Sequence, residues 1–364
     1  MKGRADVAGK ERPAPCNVAW QAGPGEGGAG MTWFERLTGF SESTPQQVRD
    51  NLSVDGNTLR SRVNGREWIC GELETPFLGE LRERAARAHG SGKLSVREVV
   101  ADVRHLHVDE TNAGALFQVA SQFNLLEMAS PGVLPEQGVG IYDQDHTQGP
   151  ACAIAAGDGT IYRNYFAPVN GQVGQSADNQ IDCLADMAAA LGNSGNRLLE
   201  MSNGYAMASH GGLEEIAGKL RASGEGERDR VRQRLRIGVQ WYTQVTLDHR
   251  RHLVTQAYCS ALPVAYSEHA PELWKDFARL VLEAGYEATL CAAICNAERN
   301  GGNRVFLTHL DGGAFGNETD WILGAINRAL NLYEDTGLDV AIVSHGKPDA
   351  RVKECGRAGS GVSP

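Results

Sequence analysis

The chain has 364 residues, 41% of them hydrophobic and 22% charged, with a formal net charge of −10. This is ordinary for a globular protein of one or two domains, and the acidic balance argues against a protein that mainly grips nucleic-acid phosphate. No apolar run approaches the ~20 residues of a membrane span, and the N-terminus lacks the apolar core of a secretory signal, so neither a nucleic-acid nor a membrane partner is expected and the localisation reads as cytoplasmic.

In chain order, residues 1–30 ("GPGEGGAG") are rich in Gly, Ala and Pro without periodicity and read as a disordered tail. Residues 31–108 read as an N-terminal accessory segment. It opens at "WFERLTGF", turns at Asn64-Gly65 between two candidate strands, and continues into a helix near "PFLGELRERAARAH". From 109 to 348 strand-like and helix-like runs alternate. "ALFQVAS" is a strand. "DNQIDCLADMAAALG" is a helix by the spacing of Ile181, Leu184, Met187 and Leu191. "SGEGERDRVRQR" is an exposed helix or loop. "RIGVQWYTQVTL" and "VTQAYCSALPVAY" are strands. The run beginning "ELWKDFARLVLEAGYEATL" is helical, as two helices or one broken near Gly285. "VFLTHL", "ETDWILGAINRALNLYEDTG" and "DVAIVSH" follow as strand, helix and strand. Residues 349–364 read as a second disordered tail. The alternation implies an α/β layer fold with a parallel or mixed sheet.

Two stretches carry chemistry. The first is the junction Asp311-Gly312-Gly313-Ala314-Phe315-Gly316-Asn317, between an apolar strand and a helix. Three glycines there serve either unusual backbone dihedrals or the close approach of a ligand. A strand, a glycine loop and a helix N-terminus together suit a phosphate. The turn has neither the Walker arrangement nor G-x-G-x-x-G, and by itself reads equally as a plain tight turn.

The second stretch is "YDQDHTQGPACAIAA", in which Asp143, Asp145, Thr147 and Gln148 precede Gly149 and a run of small residues. Two acids one residue apart can hold ribose hydroxyls or do acid–base work; as a surface loop they would cap the next helix. No metal is expected, because His/Cys ligand spacings are missing. The eight cysteines are scattered, none in C-x-x-C, and read as buried thiols. His105 and His107 share a face if their segment is a strand, Asp182 and Asp186 lie on a helix face, and Tyr162, Tyr165 and Phe166 read as core; all are taken as structural.

The order of these stretches, with "NAGALFQVASQFNLLEM", "MSNGYAM" and "QAYCSALPVAYS", resembles the divergent macrodomain family of MavL-like ADP-ribosyl hydrolases and their eukaryotic relatives, over about residues 32–347. The resemblance implies a macrodomain-like three-layer α/β sandwich with a mixed central sheet that binds ADP-ribose without a cofactor. It further implies hydrolysis of ADP-ribose from a modified protein side chain, with arginine as the favoured linkage; the alternative is a non-catalytic reader. On this reading Gly312 to Gly316 wrap the diphosphate, with Asp311 at the start of the turn and Phe315 and Asn317 near the distal ribose. Asn124 is expected at the ribose or the catalytic rim. Asp143 or Asp145 orients the attacking water, beside Thr147, Gln148 and Gly149. Tyr242 stands where relatives are expected to carry an acid.

Overall fold

The structure is a computed structural model that describes residues 30–88, 92–310, 312–352 and 355. The expected tail at residues 1–29 and the turn residue Asp311 lie outside the described residues.

The described residues from Met31 onward form one compact unit. Helix α1 (Trp33–Thr38) opens it: Thr32 accepts from the Glu35 amide and Glu35 accepts from the Thr32 amide, and Gly39 ends the helix at φ 86°. A small antiparallel sheet of Leu52–Asp55, Thr58–Ser61 and Glu67–Ile69 follows, with the predicted turn at Gly65 (φ 73°). The central sheet has seven strands: β1 (Glu72–Glu74), β2 (Ser95–Val100), β3 (Leu116–Ala120), β4 (Gly238–Gln244), β5 (Leu253–Cys259), β6 (Arg304–Leu307) and β7 (Asp339–Ser344). Their spatial order is β1-β4-β5-β3-β6-β7-β2. β5, β3, β6, β7 and β2 run parallel, while β4 is antiparallel to both neighbours.

This order corrects the sequence-drawn boundary at 108. The segment read as accessory supplies both edge strands, β1 and β2, of the main sheet. The stretch read as a C-terminal tail also begins packed: the Asp349 amide donates to Glu98, and Val352 and Cys355 are buried.

Helices cover both faces of the sheet. Neighbouring residues of β5 show why: Thr255 bonds Asn296 on one face, and Gln256 bonds the Cys152 carbonyl on the other. The second face carries α3 (Val103–Val108), α4 (Gln148–Ala155) and α5 (Gly157–Tyr165). The first carries α2 (Leu78–Arg87), α6 (His210–Ala222), α7 (Pro271–Asn300) and α8 (Thr319–Leu332). Helix α7 starts at a proline and ends at Gly301 (φ 76°); it runs unbroken through Gly285, and its residues 274–296 are almost all buried. Buried Glu287 of α7 ties down Arg82 of α2 and Arg328 of α8.

Two further expectations change. The helix predicted over 178–192 shrinks to Ala185–Ala190, because Asp182 caps the Leu184 amide and Gln180 is drawn into a loop between Asn124 and Asn203. His105 and His107 lie on helix α3, not on a strand: His105 is exposed while His107 is buried and stacked 3.8 Å from Phe117. Burial pushes His107 down to about 4, and its Nδ1 faces the Val103 carbonyl, so it is a neutral core residue.

Candidate functional site at the carboxyl edge of the sheet

Because β3, β5 and β6 are adjacent and parallel, their carboxyl ends open on one edge, the place where α/β sheets take ligands. Three segments leave that edge: 121–128 after β3, 260–266 after β5, and 308–318 after β6.

The turn after β6 is held from below. The Tyr286 hydroxyl of α7 donates to the Thr308 carbonyl at 2.7 Å and accepts from the Leu310 amide at 2.9 Å, stopping the strand at a defined point. Farther on, the Phe315 carbonyl accepts from the Ala265 amide at 2.8 Å, and the Asn317 side chain donates to the Leu262 carbonyl at 2.9 Å. Gly316 carries the left-handed dihedral (φ 74°), and a Cβ there would press on Ala265 at 2.9 Å. Phe315 and Asn317 are buried anchors, whereas Gly312, Gly313 and Ala314 are exposed. Among the described residues, a Cβ on Gly313 would meet nothing within 4 Å. Gly313 is therefore not required by folding, and its φ is not positive.

Segment 121–128 is bound on every side. Gln122 bonds both backbone groups of Met128, Asn124 accepts from the Leu126 amide, and Arg163 donates to the Leu125 carbonyl. Tyr205 donates to the Met128 carbonyl, and the Tyr142 hydroxyl accepts from the Glu127 amide. These bonds hold Leu125 at φ 66°. Asn124 is 0% exposed, with its amide also bonded to Gln180, so it builds this loop and has no face for a ribose. That corrects the expected role of Asn124.

The acid-bearing stretch arrives beside this loop. Gln148 spends its side chain on the end of β3, accepting from the Ala120 amide and donating to the Gln118 carbonyl, each at 2.9 Å. Gly149 packs so closely that a Cβ would collide with the Ala120 carbonyl and the Glu127 carboxylate. Both residues therefore dock helix α4 rather than project from it. Asp145 accepts from the Thr147 amide and hydroxyl at 2.8 and 2.7 Å through Oδ1, and among the described residues its Oδ2 carries no hydrogen bond. Thr147 is exposed. Asp143 is engaged elsewhere: Oδ2 accepts from the Trp33 amide at 2.6 Å, and Oδ1 lies 3.7 Å from Arg36.

Sequence reading overlooked Glu127, Tyr205 and Tyr266. The Tyr205 ring lies 5.3 Å from Phe315 and 5.1 Å from Tyr266, joining the glycine turn to segments 121–128 and 260–266. The available signal was the aromatic spacing of "NGYAM" and "PVAYS" around small residues.

Tyr242 proves to be outside this site. β4 is antiparallel to β5, so Tyr242, beside the Thr243↔Val254 pair, lies at the amino edge of β5. It sits at a β-bulge with φ 55°, which is why the strand pattern there is irregular. Asp182 caps Leu184, Asp186 pairs with Arg236, and Ser344 donates to Glu98, so none of these forms a second reactive cluster. Among the described residues, no group of three or more His, Cys, Asp or Glu side chains is placed to hold a metal, and no helix is long and apolar enough to cross a membrane.

No protein-family model matches the chain, and no curated protein matches its sequence. Among solved structures it is similar to poly(ADP-ribose) glycohydrolase from Deinococcus radiodurans in complex with ADP-ribose, with TM-score 0.42 and 12% identity over 78% of this chain and 91% of that one. It is also similar to poly(ADP-ribose) glycohydrolase from Thermomonospora curvata bound to the inhibitor ADP-HPD, with TM-score 0.41 and 13% identity over 86% and 95% of the two chains.

Proposed function

We propose that the chain binds ADP-ribose at the carboxyl edge of β3, β5 and β6 and hydrolyses its bond to a protein side chain, with arginine as the linked residue. One observation carries this reading: the exposed backbone of Gly312 to Ala314 is anchored on both sides by buried contacts, yet no contact among the described residues requires position 313 to lack a side chain. A ligand approaching the backbone closely supplies the missing reason. The sequence resemblance to divergent macrodomains supports a diphosphate as that ligand. On this reading Asp311 belongs to the same turn.

Asp145 has an oxygen, Oδ2, that carries no hydrogen bond among the described residues, next to exposed Thr147. As the C–N bond to the guanidino group stretches, positive charge grows on the ribose, and a nearby carboxylate stabilises it. Water adds to the anomeric carbon, the bonding pair leaves with nitrogen, and the water proton passes through Asp145 to the departing guanidine. The products are ADP-ribose and unmodified arginine.

A second reading, a non-catalytic reader, is favoured by one specific fact: of the two acids, Asp143 is already committed to Trp33 and Arg36. Incubating the purified protein with arginine-linked and glutamate-linked ADP-ribosyl peptides tests both. Release from the arginine peptide supports the hydrolase. Tight ADP-ribose binding without release from either peptide supports the reader.

A further inference from the structure

The segment before the central sheet touches the acid-bearing stretch at a series of points. The Asp143 carboxylate accepts from the Trp33 amide at 2.6 Å and faces Arg36 at 3.7 Å. The Trp33 indole donates to the Val139 carbonyl at 3.0 Å. Glu42 accepts from the amides of Val139 and Gly140, at 3.0 and 2.7 Å, and from the Tyr165 hydroxyl at 2.5 Å. The glycines there leave room for this grip: a Cβ on Gly138 would collide with Glu42, and one on Gly140 would stand 2.9 Å from it and 3.3 Å from Thr32. The Trp33 ring is itself seated against Gly157 of α5, where a Cβ would collide with it.

The held stretch leads directly to Asp145. The Asp145 amide donates to the Tyr142 carbonyl at 3.1 Å, while the Tyr142 hydroxyl is bound to the Glu127 amide. Residues 138–142 are thus pinned on one side by Thr32 to Glu42 and on the other by segment 121–128. Past Asp143, itself held by the Trp33 amide, Asp145 is the next carboxylate.

We propose that Asp143 is a positioning residue, and that residues 32–42 form a clamp that sets the place of Asp145 through Asp143 and Glu42. This rests on the hydrolase reading for its effect on turnover, but not for its geometry. A 1 Å displacement of a catalytic group can cost about 100-fold in rate, so loosening the clamp should lower kcat while leaving ADP-ribose affinity near that of the parent.

The test compares D143N, D143A, E42A and D145N in turnover, ADP-ribose affinity and amide hydrogen exchange. Asparagine keeps an oxygen acceptor for the Trp33 amide; alanine does not. D143N should retain most of the turnover, whereas D143A and E42A should lose about 100-fold in kcat with affinity held within about threefold. In D143A the amides of Trp33 and Thr147 should exchange about tenfold faster or more, since a lost structural bond opens the local equilibrium. Phe117 in β3 is the control for global unfolding. Equal loss of turnover in D143N and D143A, with Thr147 exchange unchanged in both, would make Asp143 a catalytic carboxylate and overturn the clamp. If the parent itself releases no ADP-ribose, the hydrolase reading fails, and exchange alone decides the clamp: faster Thr147 exchange in D143A sustains it, and unchanged exchange removes it.

Discussion

Gly149 packs against the Glu127 carboxylate, and only the absence of a side chain at position 149 lets the two meet. The same glycine touches the Ala120 carbonyl at the end of β3, so a single position brings together strand, buried acid and helix. Gly149→Ala should therefore destabilise the fold by about 1–3 kcal/mol, the usual cost of overpacking a tight contact. A urea titration measures it, and a midpoint equal to the parent's would show that helix α4 can back away freely.

The Glu287 network gives a stability prediction independent of function. Glu287 is 2% exposed and bonded to Arg82 and Arg328. Burial alone would raise its pKa, but the two guanidinium groups outweigh it and hold the carboxyl below its ordinary value. Breaking such a buried pair from one side costs about 3–5 kcal/mol, the expected loss for Glu287→Ala by chemical denaturation. Because the folded pKa is depressed, the stabilisation is present above the unfolded carboxylate pKa and fades as pH falls through the folded one. The gap between parent and variant should accordingly narrow in acid.

Asp158 should behave in the opposite sense. It is wholly buried on α5, and burial raises its carboxyl to about 8 despite hydrogen bonds from Gly159 and Thr243. Its other oxygen, Oδ2, together with Arg163 Nη1 and Gln240 Oε1, is buried without a hydrogen bond among the described residues. With the folded pKa raised, the protonated carboxyl's contribution is complete below the unfolded pKa and is lost as pH rises toward about 8. Asp158→Asn, which cannot ionise, should gain stability relative to the parent across that window. Thermal midpoints at pH 5 and pH 8 check it, and a constant difference between the two proteins would refute it.

Much of this arrangement could be read from the chain. The run Val305, Phe306, Leu307 followed by the apolar spacing of α8 made the strand–turn–helix visible, and alternating runs announced an α/β sheet. The edge strand β2 was missed for a physical reason. It carries charged residues, Arg97 and Glu98, as exposed edges do, which erases the apolar pattern. Asn124 and Gln148 show a different limit. A polar residue that completes a loop's hydrogen bonds has the same sequence signature as one that meets a ligand, and only the positions of Leu126, Gln180 and Ala120 distinguish them. Asp143 looked equivalent to Asp145 until its partner, Trp33, 110 residues away in sequence, came into contact.

The glycines of the turn separate folding from binding. Gly316→Val meets both a positive φ of 74° and Ala265 at 2.9 Å, so it should lower the thermal midpoint by several degrees, about 1–3 kcal/mol in stability. Gly313→Val enters open space and should leave the midpoint unchanged within error.

That contrast makes one titration the most direct test of the ADP-ribose site: calorimetry of ADP-ribose against the parent and Gly313→Val, each shown to unfold at the same temperature. The parent should bind in a saturable 1:1 reaction, and the valine variant should lose that binding, because its side chain occupies the space where a diphosphate would meet the exposed backbone of Gly312 to Ala314. No heat from the parent at millimolar ADP-ribose, or equal binding by both proteins, would contradict the account.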